Sequence, residues 1–62
     1  MQIINSRRRY FDKPDGNRNF VGRRVKYEAN GTEKEIFITP TDLPEVIEYN
    51  ELENFLVAKE GE

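Results

Sequence analysis

The clearest pattern of apolar and polar positions lies in the middle of the chain. Between residues 23 and 29, Val25, Tyr27 and Ala29 alternate with charged residues, which is typical of a half-buried β-strand. Asn30 and Gly31 follow, and this pair favours a two-residue type I′ turn because both turn positions need a positive φ. Residues 32–39 then supply a second strand with a β-branched and aromatic centre. The pattern predicts a β-hairpin.

A two-residue turn also determines which residues face each other across the hairpin. Counting back from the turn places Val25 opposite Ile36 on the inner face. It places Lys26 opposite Glu35 on the outer face, and both kinds of pair stabilise a sheet. The same register predicts five further pairs: Ala29 with Thr32, Glu28 with Glu33, Tyr27 with Lys34, Arg24 with Phe37, and Arg23 with Ile38. The pair of Glu28 with Glu33 is a like-charge contact and argues against the register, although water screens it near the turn.

The N-terminal part of the chain predicts a further strand that pairs with the hairpin. Residues 7–11 and 19–29 form the two strands of this pair, and residues 12–18 contain the proline, Asp-Gly and asparagine that favour a loop. Gly22 lies inside the second strand, where glycine indicates a bulge or bend. The prediction is a three-stranded antiparallel meander with strands near 7–11, 19–29 and 32–39.

The C-terminal third permits two interpretations. Asp42 and Glu45 have the spacing of a capping box, which predicts a helix that begins near residue 42. Five apolar residues share one arc of that helix: Val46, Tyr49, Leu52, Leu56 and Val57. The alternative is a closing strand over residues 54–58, which would complete a small SH3-like β-barrel.

We favour the helix, and the predicted fold class is therefore α+β, a three-stranded antiparallel sheet with a C-terminal helix. The 62 residues allow a single small domain, in which residues 59–62 are expected to be a frayed tail. The predicted core contains Phe20 or Val21, Val25, Tyr27, Ile36, Ile38, Leu43, Val46, Leu52 and Leu56.

Composition narrows the function classes. The chain has no cysteine and no histidine, so it lacks the usual zinc ligands, a thiol nucleophile and a general base near neutral pH. We therefore expect a non-enzymatic protein with no catalytic residues, no metal site and no cofactor. The absence of cysteine and of an apolar N-terminal run predicts a cytoplasmic protein without a membrane segment.

Charge is divided unevenly along the chain. Residues 1–26 carry eight basic and two acidic residues, whereas residues 27–62 carry two basic and ten acidic residues. The halves therefore have net charges of about +6 and −8. Arginine offers a planar set of donors that matches phosphate. The basic half predicts a small regulatory module that binds nucleic acid, DNA or RNA, through Arg7, Arg8, Arg9, Tyr10, Arg23, Arg24 and Lys26.

The acidic half supports an alternative function. A protein-binding adaptor or inhibitor could use an acidic flank of the helix together with an aromatic residue that the hairpin register leaves exposed. Its contact residues would be Phe37, Glu45, Glu48 and Glu51. The net charge of −2 motivates this alternative, since it is unusual for a simple nucleic-acid binder. A homodimer that pairs one basic half with another acidic half fits either function.

Overall fold

The computed structural model of the protein describes residues 1–61, which contain three strands and one helix. They are β1 (Gln2–Asp12), β2 (Arg18–Ala29), β3 (Thr32–Ile38) and α1 (Tyr49–Glu60). The strands form an antiparallel sheet in the order β1-β2-β3. The α+β prediction is confirmed. The barrel alternative is not, because the sheet is open and residues 54–58 belong to α1.

The predicted hairpin is confirmed in its turn and its register. Asn30 and Gly31 have φ values of 54° and 78°, as a type I′ turn requires. The predicted pairs between β2 and β3 all occur, including Val25 opposite Ile36 and Lys26 opposite Glu35. Local turn chemistry is therefore sufficient to set this half of the sheet.

A bulge interrupts the pairing of β1 with β2 at the predicted glycine. Arg9 pairs with Gly22 and Tyr10 pairs with Phe20, so Val21 is an extra residue in β2. Gly22 has a φ of 147°, a region that side chains avoid. A Cβ built on Gly22 would lie 2.6 Å from the Ile38 carbonyl oxygen. Only glycine fits this position without a shift of the backbone.

The core occupies one face of the sheet, the face that α1 covers. Within residues 1–61, the buried cluster is Val25, Tyr27, Ala29, Ile38, Leu52 and Leu56. Ile36 and Leu43 pack against it and are partly buried, as are Ile3, Ile47 and Phe55, which the sequence pattern did not place in the core. The sequence predicted either Phe20 or Val21 as a core residue, and in the structure Phe20 is half-buried whereas Val21 is exposed. The prediction for Val46 is wrong, because this side chain is 82% exposed.

The reason for the error is that the helix begins later than predicted. Leu43 donates its backbone N–H to Thr39 O at 3.1 Å, which closes a turn over residues 39–43 that does not continue as a helix. Glu48 is the N-cap residue, so the predicted cap at Asp42 is wrong. Pro44 opposes an earlier start because the residue before a proline resists the α region. The fully buried residues of α1 are consequently Leu52 and Leu56, Phe55 is partly buried, and Tyr49 and Val57 are exposed.

The C-terminal end of α1 is anchored to the sheet. Tyr27 donates its hydroxyl to Glu60 Oε2 at 2.8 Å, and Lys34 donates to Glu60 Oε1 at 2.6 Å. Lys59 and Glu60, which we expected in a frayed tail, belong to the helix. Residue 62 of that expected tail lies outside the described residues. Glu60 thus joins the helix to two neighbouring strands.

We predict that Gly22→Ala lowers the free energy of unfolding by at least about 2 kcal/mol, because the substitution combines an unfavourable φ with a steric clash. Gly16→Ala is the matched control. Gly16 has a φ of 88°, but no atom lies within 4 Å of a Cβ at this position. Only the backbone cost of about 1 kcal/mol is then expected. Urea denaturation followed by circular dichroism measures both values, and equal losses would contradict the clash.

Glu60 makes the free energy of unfolding depend on pH in the acid range. The hydrogen bond from Lys34, followed by that from Tyr27, holds the pKa of Glu60 below its ordinary value of 4.5. The unfolded chain therefore takes up the proton first as the pH falls. The stability that Glu60 contributes is present above pH 4.5 and is lost below it. Glu60→Gln should show a smaller decrease in urea midpoint between neutral and acid pH than the wild type. A decrease of the same size would contradict this role.

Candidate nucleic-acid interface

The seven residues predicted to contact nucleic acid are divided between the two faces of the sheet. Side chains alternate between faces along a strand, and Val25 and Tyr27 mark the face that α1 covers. Arg24 and Lys26 therefore lie on the opposite face, which we call the open face. Arg7 and Arg9 share the open face, because they pair with Arg24 and Gly22 respectively. Together with Asn5 and Glu35, these four basic residues line a shallow groove: Arg7, Arg9, Arg24 and Lys26.

The open face is organised as rows that cross the sheet. Arg7 of β1, Arg24 of β2 and Phe37 of β3 are successive partners and form one row. In the neighbouring row Arg9 lies opposite Gly22, and the ring of Phe37 reaches over that glycine. Antiparallel pairing thus brings together cationic side chains that are far apart in the chain, and places an aromatic ring beside them.

The cations of the open face differ in how far the protein neutralises them. Arg24 lies 3.8 Å from Glu35, and Lys26 lies 3.9 Å from Glu33, both as exposed pairs that contribute little to stability. Arg7 and Arg9 form no ion pair with any residue in the described chain. The β1 side of the open face therefore carries its positive charge uncompensated.

Arg23 lies on the covered face, where its side chain binds other parts of the protein. Its side chain is 6% exposed, and Nη2 donates to the carbonyl oxygens of Pro44 at 2.9 Å and Glu45 at 2.7 Å. Burial, reinforced by the charge of Arg8, lowers the pKa of the Arg23 guanidinium. The guanidinium also lies 5.8 Å from the ring centroid of Phe20. These contacts hold the segment before α1 against β2, and they leave Arg23 inaccessible to a phosphate.

Arg8 and Tyr10 also project on the covered face. Tyr10 donates its hydroxyl to Glu45 Oε2 at 3.1 Å, and Arg8 Nη1 lies 4.0 Å from the same oxygen. Tyr10 contacts the ring of Phe20 edge-on, with 5.8 Å between centroids, and the Arg18 guanidinium lies 4.8 Å from the Tyr10 ring centroid. Tyr10 is therefore packed among protein groups and is not on the same face as Arg7 and Arg9.

The residues predicted for the alternative, protein-binding interface also do not lie on a single surface. Glu48 is the N-cap and Glu51 lies in the first turn of α1, whereas Glu45 precedes the helix. The predicted acidic flank of one helix is therefore wrong for Glu45, whose carboxylate contacts β1. Phe37 lies on the open face, on the far side of the sheet from α1. The structure does not combine Phe37 with the three glutamates into one surface.

Phe11, which follows Tyr10 after the run of three arginines, is an exposed aromatic residue outside the predicted set of contacts. Phe11 is 61% exposed, and it lies two residues beyond Arg9 on the same strand, so the two side chains share the open face. The sequence signal for this grouping is the alternation along β1, which places Arg7, Arg9 and Phe11 on one face and Tyr10 on the other. It could not be used without knowing which face the helix covers.

Comparisons with models of protein families, with curated proteins and with solved structures found no match to this chain. The open face therefore has to be interpreted from its own chemistry. Among residues 1–61, no group of three or more carboxylates could hold a metal ion. The helix in the described chain is too short and too polar to cross a membrane.

We predict that Arg23→Ala lowers the free energy of unfolding by about 1.5–3 kcal/mol, because two carbonyl oxygens lose a charged donor. Arg24→Ala is the matched control on the adjacent residue. Its exposed ion pair predicts a change within about 0.5 kcal/mol. Urea unfolding of the two variants at neutral pH measures the difference. Equal stabilities would show that the buried guanidinium does not hold the segment before α1.

Proposed function

We propose that this chain is a small regulatory module that binds nucleic acid through the open face of its sheet. The observation that supports the proposal is the grouping of Arg7, Arg9, Arg24 and Lys26 on one uncovered face, with no intramolecular ion pair for Arg7 and Arg9 within residues 1–61. Arginine side chains bind phosphate oxygens through two parallel hydrogen bonds. A face with several such groups attracts a polyanion before contact is made.

The negative net charge of the chain does not oppose this function. The described acidic residues that follow β3 lie in or near α1, on the other side of the sheet from Arg7 and Arg9. Glu33 and Glu35 are nearer, but each lies beside a cation of β2. Acidic groups around a basic face limit binding to unrelated polyanions. Phe37, a contact residue of the adaptor alternative, lies on the open face with these cations. A cytoplasmic location, a non-enzymatic role and a homodimer stay predictions from the sequence.

The function predicts a steep dependence of affinity on salt. Four phosphate contacts give a slope of log affinity against log salt of about −2.8 to −3.6. Arg7→Ala/Arg9→Ala should weaken binding strongly and make the slope shallower by about 1.5. Fluorescence anisotropy with short labelled DNA and RNA oligonucleotides, at several salt concentrations, measures both quantities.

The matched control is Arg8→Ala/Arg18→Ala, which removes the same amount of charge from the covered face of the sheet. Its affinity and salt slope should stay close to those of the wild type. If the two double variants lose affinity equally, net charge rather than the open face governs binding. If the wild-type protein binds none of the oligonucleotides at low salt, the proposed function is wrong.

A further inference from the structure

Phe37 has an unusual environment for a large apolar side chain. It is 46% exposed on the uncovered face, although Ile36 and Ile38 on either side of it pack into or against the core. Its ring atoms Cε2 and Cζ would lie 2.6 Å from a Cβ at Gly22. The ring therefore reaches across the sheet and rests on the backbone of the central strand. One part of it contacts glycine and the rest faces solvent.

Three arginines lie beside Phe37 in the register of the open face. Arg24 is the cross-strand partner of Phe37, and Arg7 is the next residue in the same row. Arg9 lies opposite Gly22, on the far side of the ring from β3. A flat apolar group that stacked on Phe37 would therefore lie close to three arginine side chains. A nucleotide matches this arrangement, since it joins a flat base to a phosphate.

The arrangement favours a single strand over a duplex. Within a duplex both faces of each base are already stacked on neighbouring bases, so an aromatic ring on a sheet has no free base face to contact. In a single strand the bases can turn outwards and stack on aromatic side chains while the phosphates contact cations. Phe11 offers a second exposed ring on the same face, beyond Arg9.

We infer that the open face binds single-stranded nucleic acid, with one base stacked on Phe37 and the flanking phosphates bound by Arg7, Arg9 and Arg24. This inference rests on the proposed function and specifies its ligand. Recognition through a stacked base and the phosphate backbone tolerates different sequences, because every base has a flat face. The 2′-hydroxyl plays no part in these contacts, so single-stranded DNA and RNA should bind with similar affinity.

Four probes with the same fluorescent label separate the contributions. They are an oligothymidylate, an oligouridylate of equal length, an abasic DNA strand with the same number of phosphates, and a duplex of mixed sequence. The wild-type protein should bind the first two with similar affinity, and both more tightly than the abasic strand and the duplex. The abasic strand keeps the phosphate contacts and loses only the stacking.

Substitution of Phe37 tests the stacking directly. Phe37→Leu keeps an apolar side chain over Gly22, and we expect about a tenfold or greater loss of affinity for oligothymidylate with little change for the abasic strand. Phe37→Tyr, which retains a flat ring, should bind as the wild type does. Phe37→Trp introduces a tryptophan into a chain that has none. Its fluorescence should be quenched by oligothymidylate and not by the abasic strand.

The outcomes separate this inference from the proposed function. If Phe37→Leu binds oligothymidylate as tightly as the wild type, while Arg7→Ala/Arg9→Ala loses binding, the stacking is overturned and phosphate binding by the open face stands. Tighter binding of the duplex than of the single strands would likewise overturn the stacking and leave phosphate binding in place. If the wild-type protein binds none of the four probes at low salt, both the inference and the proposed function fail.

Discussion

The coverage of a three-stranded sheet by the short helix α1 governs the rest of this structure. Two helix residues, Leu52 and Leu56, are buried against Val25, Tyr27 and Ile38. Apolar burial is the dominant favourable term in folding, and in a chain of 62 residues it is small. A core of this size can be built on one face only. The opposite face is left to charged and polar residues and to the exposed rings of Phe11 and Phe37.

Polar contacts supplement this small core at both ends of residues 39–60, the part of the chain that follows β3 and includes α1. At its start, the turn over residues 39–43 is followed by two carbonyl oxygens that accept hydrogen bonds from Arg23. At the far end of α1, Glu60 accepts hydrogen bonds from Tyr27 and Lys34. The first set attaches the segment before α1 to β2, and the second attaches the end of α1 to β2 and β3. Hydrogen bonds to charged groups are stronger than neutral ones, so they hold α1 in place where apolar area is scarce.

The separation of charge along the sequence becomes a different pattern in the fold. Antiparallel pairing places the acidic residues of β3 beside the basic residues of β2, so Glu35 and Glu33 partly neutralise Arg24 and Lys26. β1 is at the other edge of the sheet, away from the acidic strand. Within residues 1–61, its alternate arginines, Arg7 and Arg9, consequently have no ion pair, whereas Arg8 between them turns towards Glu45. The three consecutive arginines therefore place their side chains on both faces of the sheet.

The sequence by itself determined the elements whose cause is local. Asn30-Gly31 required the type I′ turn, the turn determined the register of β2 and β3, and Gly22 marked the bulge. Only the tertiary structure decided where α1 begins, because the capping pattern at Asp42 competes with Pro44 and with the contacts of Arg23. It also decided which arginines are accessible. Alternation shows that neighbouring arginines of β1 lie on opposite faces. Which of the two faces is buried depends on where the leucines of α1 pack, and their packing is a long-range contact that the local sequence does not determine.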